Sequence, residues 1–143
     1  MAELDSCTST VNGSLVVVKG ENGKKATFTN AERKQYQRVR IDGCVIENGS
    51  GKAVDWLLRQ SDHGDLLIEL KGKNTDEAAK QIYATLESIS TIIDERRSAL
   101  VVSNRVPKAS GTAQALQMKM IKNKKCKVRF LSGNRTFNFA DFF

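Results

Sequence analysis

The chain has 143 residues, 40% of them hydrophobic and 27% charged, with a formal net charge of +7. Those proportions suit one globular domain with its own core and exclude wholesale disorder. No apolar run approaches the roughly 20 residues that cross a bilayer, and "LVVV" at 15–18 is too short for the core of a secretory leader, so a cytoplasmic, intracellular protein is expected.

Taken in chain order, the first 13 residues are small and polar and read as a flexible N-terminus. "SLVVVKGENGKKATFT" reads as a hairpin turning at Asn22-Gly23. "NAERKQYQ" is compatible with a short helix capped by Asn30. "RVRIDGCVIE" alternates like a strand, with a kink or bulge at Asp42-Gly43. "AVDWLLRQ" and "DLLIELKGK" are nearly continuous apolar runs separated by "SDHG". They predict a strand hairpin in a sheet covered on both faces.

"NTDEAAKQIYATLESISTIIDERR" is the clearest helix. Asn74 stands three residues before Glu77, as in a capping box. Ala78, Ile82, Leu86, Ile89 and Ile93 fall on one helical stripe. Arg96 and Arg97 suit the negative end of the helix dipole. "SALVVS" then predicts a buried strand, Pro107 a break, and "SGTAQALQMKMIKN" a second helix with Leu116 and Met120 on one face. "CKVRFL", the Ser132–Asn134 turn and "RTFNF" read as a closing hairpin. Strands, helix, strand, helix, strands imply an α/β fold, a single domain over 1–143 with a central mixed sheet flanked by helices.

Cys7, Cys44 and Cys126 are odd in number and widely spaced, fitting neither a zinc site nor a disulfide framework. They are expected to be reduced packing residues. Trp56 should point away from Asp55 into the core, His63 lies in a turn facing solvent, and the terminal Phe137, Phe139, Phe142 and Phe143 suit packing or a dimer contact.

The charge is unevenly placed. From Ala99 to Ala140 there is no Asp or Glu, while Arg105, Lys108, Lys119, Lys122, Lys124, Lys125, Lys127, Arg129 and Arg135 all fall in that span. These nine basic residues exceed the whole surplus, so the rest of the chain is slightly acidic. A basic half points to an anionic partner, nucleic acid first. The candidates for gripping it are Lys119, Lys122, Lys124, Lys125, Lys127, Arg129 and Arg135.

In "DLLIELKGK", Glu69 and Lys71 share one face of a strand. A turn centred on Asp62-His63 sets Asp55 opposite Glu69 or one position off. Opposed side chains on adjacent strands have Cβ atoms about 5 Å apart, where two carboxylates repel unless a cation lies between them. Lys71 supplies one, and hard carboxylate oxygens suit Mg²⁺. The alternative is an ordinary ion pair between Asp55 and Lys71 with Glu69 in solvent.

From about residue 39 to 102, an acid on one strand, acid-x-Lys on the next, then a helix and a further strand resembles the core of the PD-(D/E)xK, or restriction-endonuclease-like, nuclease superfamily. The literal proline is absent, since Val54 precedes Asp55. The resemblance implies Asp55, Glu69 and Lys71 as catalytic residues. Asp55, Glu69 and the Leu70 carbonyl would be ligands of Mg²⁺ or Mn²⁺. Glu32 maps loosely to an upstream acid, and Gln81 to a glutamine on the following helix, although its neighbour Ile82 on the buried stripe also suits a solvent-facing Gln81. The implied function is metal-dependent hydrolysis of nucleic acid, DNA ahead of RNA, by a homodimer or larger complex where one small domain cannot hold its substrate. The rival readings are an inactive nucleic-acid-binding module and a regulatory interaction subunit.

Overall fold

The computed structural model describes residues 4–47, 53–70, 74–103, 111–133 and 135–143. Along the chain run β1 (Thr8–Val11), β2 (Leu15–Lys19), β3 (Lys25–Thr29), β4 (Tyr36–Arg40), β5 (Trp56–Gln60), β6 (Gly64–Leu70), α1 (Thr75–Ile89), β7 (Arg97–Ser103), α2 (Gly111–Lys124), β8 (Cys126–Ser132) and β9 (Thr136–Phe137). Six strands form one sheet in the order β1-β4-β5-β6-β7-β8, and three form a second in the order β2-β3-β9. In the larger sheet β1, β4, β5 and β6 pair antiparallel, and β6, β7 and β8 pair parallel. The fold is mixed α/β, as the element order predicts.

The continuous apolar runs explain the layering. All seven residues of β6 are buried, which requires cover on both sheet faces. On one face Leu57, Leu67 and Val101 pack against Ala78, Ile82 and Leu86 of α1 and Met120 of α2. On the other, Leu58, Leu66, Ile68 and Leu100 meet Val16, Val18, Phe28, Phe137 and Phe139. The helices thus cover one face and the small sheet the other. Each fully buried large side chain contributes about 1.5–3 kcal/mol. Among the described residues, no helix is long and apolar enough to cross a membrane.

Local signals set the individual elements. The β2–β3 hairpin turns through Gly23 at φ +74, where glycine carries no Cβ penalty. Asn74 caps α1 by accepting the Glu77 N–H at 3.1 Å, and α2 stops at Lys125, which takes a left-handed φ of 53.

Several sequence expectations are corrected. The segment read as a flexible N-terminus forms a 3-10 turn at Asp5–Cys7 and then the edge strand β1, paired Thr8↔Val39 through Val11↔Tyr36. An edge strand needs little apolar character, so its polarity resembled fraying. Cys7 and Cys44 form a disulfide, and only Cys126 is a free, buried thiol. The helix expected at "NAERKQYQ" is a turn. The Asn30 amide donates to the Gly13 and Lys34 carbonyls and accepts the Lys34 N–H, and Arg33 has φ 51, so side-chain bonding replaces the first helical turn.

Helix α1 ends at Ile89, before Arg96 and Arg97. Arg97 instead reaches back from β7 to donate to the Ser90 and Asp94 carbonyls. The closing hairpin is absent: β8 pairs with β7 in the large sheet, while β9 pairs parallel to β3 in the small one. The chain changes sheets beside Gly133, where a Cβ would lie 2.7 Å from the Val102 side chain. Of the terminal aromatics, Phe137, Phe139 and Phe142 are core.

Candidate active site

Asp55 and Glu69 meet where the β5–β6 hairpin opens. The ladder pairs Trp56 with Ile68 and Leu57 with Leu67, so one further step sets Asp55 opposite Glu69. The contact is reciprocal. The Asp55 N–H donates to Glu69 Oε1 at 3.2 Å, and the Leu70 N–H donates to Asp55 Oδ2 at 2.9 Å. Each carboxylate is therefore oriented by the backbone of the opposite strand. Glu69 is only 3% exposed, so the Asp55 N–H also offsets part of the cost of burying its carboxylate.

Helix α1 fixes the approach to β5. Gln81 Nε2 donates to the Ala53 carbonyl at 3.3 Å, and the Val54 N–H donates to Thr85 Oγ1 at 3.0 Å. Gln81 therefore stands beside the site and steadies the segment leading into Asp55.

From the opposite face the β2–β3 hairpin closes over the same corner. Gly20 packs so tightly on Leu70 that a Cβ there would lie 3.1 Å from a Leu70 methyl carbon. Trp56 Nε1 donates to the Lys19 carbonyl at 2.8 Å, and the Arg40 guanidinium lies 5.6 Å from the Trp56 ring centre. Asp55, Glu69, Leu70 and Gln81 line a cavity of about 270 Å³ whose other walls include Lys19, Lys24, Arg40 and Asp42. Asp42 has its proton affinity raised, first by burial and then by the charge of Asp55, with Arg40 opposing.

Compared with models of known families, with curated proteins and with solved structures, the chain matches none. The site stands on its own residues.

The structure brings together Asp55, Glu69, Leu70 and Gln81 of the expected set. Lys71 lies outside the described residues. Glu32 is not at this corner. Its side chain is 80% exposed, 3.9 Å from Lys34, and it lines a different cavity beside Tyr36 and His63. Among the described residues no α-helix precedes α1 to carry it inward. His63 is partly covered rather than open to solvent, with its ring 6.0 Å from Phe139 and 6.1 Å from Phe143. Trp56 packs against the core on the small-sheet side, yet it also lines the acidic cavity.

The expected nucleic-acid set is dispersed. Lys124 pairs with Glu87 at 3.6 Å and Lys119 lies over the Tyr83 ring. Arg129 and Arg135 lie over Phe142 and Phe137. Lys122, Lys125 and Lys127 are exposed at the end of α2 and the start of β8. Because β6, β7 and β8 run parallel, the start of β8 is at the opposite end of the sheet from Glu69.

The cations at the acidic corner, Lys19, Lys24 and Arg40, and the third acid Asp42, carried no sequence signal for this role. The small sheet folding over β5 and β6 brings Lys19 and Lys24, while the pairing of β4 with β5 brings Arg40 and the turn at Asp42. Among the described residues, no group of three or more His, Cys, Asp or Glu side chains is placed to hold a metal ion.

Proposed function

We propose that this protein is a metal-dependent nuclease that hydrolyses phosphodiester bonds, with DNA preferred to RNA as substrate. The observation that carries the reading is the reciprocal bracing of Asp55 and Glu69 across the hairpin. Two carboxylates held at one corner, in a cavity walled by Lys19, Lys24 and Arg40, suit a phosphate approached through a cation. The order acid strand, acid strand, helix α1, parallel strand β7 adds to the resemblance to the PD-(D/E)xK superfamily.

The donor set fits a hard cation such as Mg²⁺ or Mn²⁺. Each carboxylate accepts a backbone N–H from the opposite strand, which fixes its orientation toward the shared cavity. Burial first, and then the Asp55 charge, raise the proton affinity of Asp42 on the same cavity wall. Asp55 and Glu69, with the Leu70 carbonyl, would hold the ion. When bound, it supplies Lewis acidity, acidifying a water and offsetting charge on the phosphate. Lys71 would orient the attacking water, help take its proton, or neutralise the developing charge. Lys19, Lys24 and Arg40 would position the phosphate backbone without reading sequence.

A second reading, a module that binds nucleic acid without cutting it, is favoured because, among the described residues, no three His, Cys, Asp or Glu side chains are placed to hold a metal ion.

Purified protein with Mg²⁺ or Mn²⁺ should cut plasmid or oligonucleotide DNA. Glu69→Gln and Lys71→Ala should each lower the rate by about 10²-fold or more while binding survives. Cutting that persists in both variants overturns the assignment. Salt-sensitive binding without cutting supports the binding module, and no binding at all turns the reading toward a protein partner.

A further inference from the structure

A second cavity, of about 530 Å³, lies at the closed end of the same hairpin. Arg59 and Asp65 are each four residues along their strands from Asp55 and Glu69, a spacing of about 13 Å. They face each other directly in the β5–β6 ladder, and Gln37 of β4 faces Arg59 from the other side. Gln37, Arg59 and Asp65 therefore form a transverse polar row on one face of the sheet, and all three line the cavity.

The row is built rather than incidental. Asp65 is 3% exposed and both its oxygens are engaged: Oδ1 accepts Arg59 Nε at 3.0 Å, and Oδ2 accepts the Asp94 N–H at 2.9 Å. Asp65 thus neutralises Arg59 and fixes its plane through Nε, while among the described residues the Nη1 and Nη2 groups make no hydrogen bond and Asp94 acts on the guanidinium only through its charge. The side-chain amides of Gln37 and Gln35, both lining the cavity, are likewise without partners among the described residues. Arg96 forms a fixed rim, since it donates to Asp94, to the Ser61 carbonyl and to the Asp62 carbonyl.

The free chemistry is one guanidinium edge and two primary amides. A guanidinium edge presents parallel N–H donors matched to a phosphate or carboxylate. Primary amides both donate and accept, which suits a polar body. The lining charges balance, Arg59 and Arg96 against Asp65 and Asp94, so the cavity favours a ligand of low charge over a polyanion. Its volume falls within the roughly 300–1,000 Å³ of small-molecule sites.

We propose that this cavity binds a small polar molecule with one oxyanion group, the oxyanion on the Nη edge of Arg59 and the body against Gln35 and Gln37. The proposal does not depend on the nuclease reading.

Titration calorimetry of the full chain with inorganic phosphate, uridine monophosphate and lactate tests it and separates phosphate from carboxylate. At least one probe should bind saturably with a Kd below about 1 mM. Arg59→Lys keeps a cation beside Asp65 but loses the planar edge, and should weaken binding about tenfold. Gln37→Ala should weaken it about threefold or more, and it carries the test if Arg59→Lys fails to fold. Glu69→Gln, at the other end of the hairpin, should leave the affinity unchanged. No saturable binding of any probe overturns the proposal, as does equal affinity in folded Gln37→Ala, or a loss of affinity in Glu69→Gln.

Discussion

Asp42 shares a cavity wall with Asp55, and burial together with the Asp55 charge raises its proton affinity above the ordinary carboxylate value of 3.8. The folded chain therefore holds this proton more tightly than the unfolded chain. The stability it contributes is complete below the unfolded value and is lost as pH rises through the raised one. Asp42→Asn should accordingly stabilise the protein near neutral pH, with the gain shrinking as pH falls toward about 4. Denaturant midpoints of both proteins across that range would check this; an equal gain at every pH would show that the Asp42 charge is not the cause. Asp94 titrates in the opposite sense, because hydrogen bonds from Arg96 lower its value, so its contribution is present above 3.8 and fades in acid. At this scale the sequence was readable where a side chain's partner is set locally. The turn at Asp62-His63 fixes the register that opposes Asp55 to Glu69. Asp42 was readable only as a bend, because its neighbours come from across the fold. Cys126 was readable as packing: burial pushes its thiol up to about 12, which leaves it protonated and unreactive.

At the scale of elements, β1 is held at the sheet edge by its ladder with β4 and by the Cys7–Cys44 bridge. Cys44 is two residues from Asp42, so the bridge also ties this strand to the turn that forms one wall of the acidic cavity. The cysteines are 37 residues apart, and closing a loop of that length stabilises a fold by about 3–4 kcal/mol in the chain-entropy account. Cys7→Ser with Cys44→Ser should lower unfolding stability by roughly that amount, and a thiol reductant should do the same to the unaltered chain. Unchanged denaturant midpoints under both treatments would mean that the bridge is not formed in solution. The bridge escaped the sequence because two cysteines so far apart pair only through β1 docking on β4. Elements closed by neighbouring residues were legible, among them the β2–β3 and β5–β6 hairpins and the Asn74-capped α1. Those depending on distant partners were not. The Ser132–Asn134 turn looked like a hairpin because its residues suit one, whereas β8 and β9 each find a parallel partner far back in the chain, and parallel pairing leaves no short-range signature.

Over the whole molecule, the layers place charge in two separate regions. The small sheet brings Lys19 and Lys24 over the open end of the β5–β6 hairpin, where Arg40 joins them around Asp55 and Glu69. The exposed lysines of the basic C-terminal half, Lys122, Lys125 and Lys127, stand at the other end. A seven-residue strand such as β8 separates the two ends by roughly 20 Å. A sum of charges along the sequence could not register this separation, because β7, α2 and β8 run back and forth between the two ends. If nucleic acid is held for cutting at the acidic pair, the cations beside that pair must contribute most of the grip. Neutralising Lys19, Lys24 and Arg40 singly should each lower the slope of log affinity against log salt by about one unit on duplex DNA. The same changes at Lys122, Lys125 and Lys127 should alter it less. Fluorescence anisotropy with a labelled oligonucleotide, repeated over a range of salt, reads both sets directly. The opposite ranking would place the nucleic-acid face on the α2–β8 end and detach binding from the Asp55–Glu69 corner. It would then favour the reading in which the chain binds nucleic acid without cutting it.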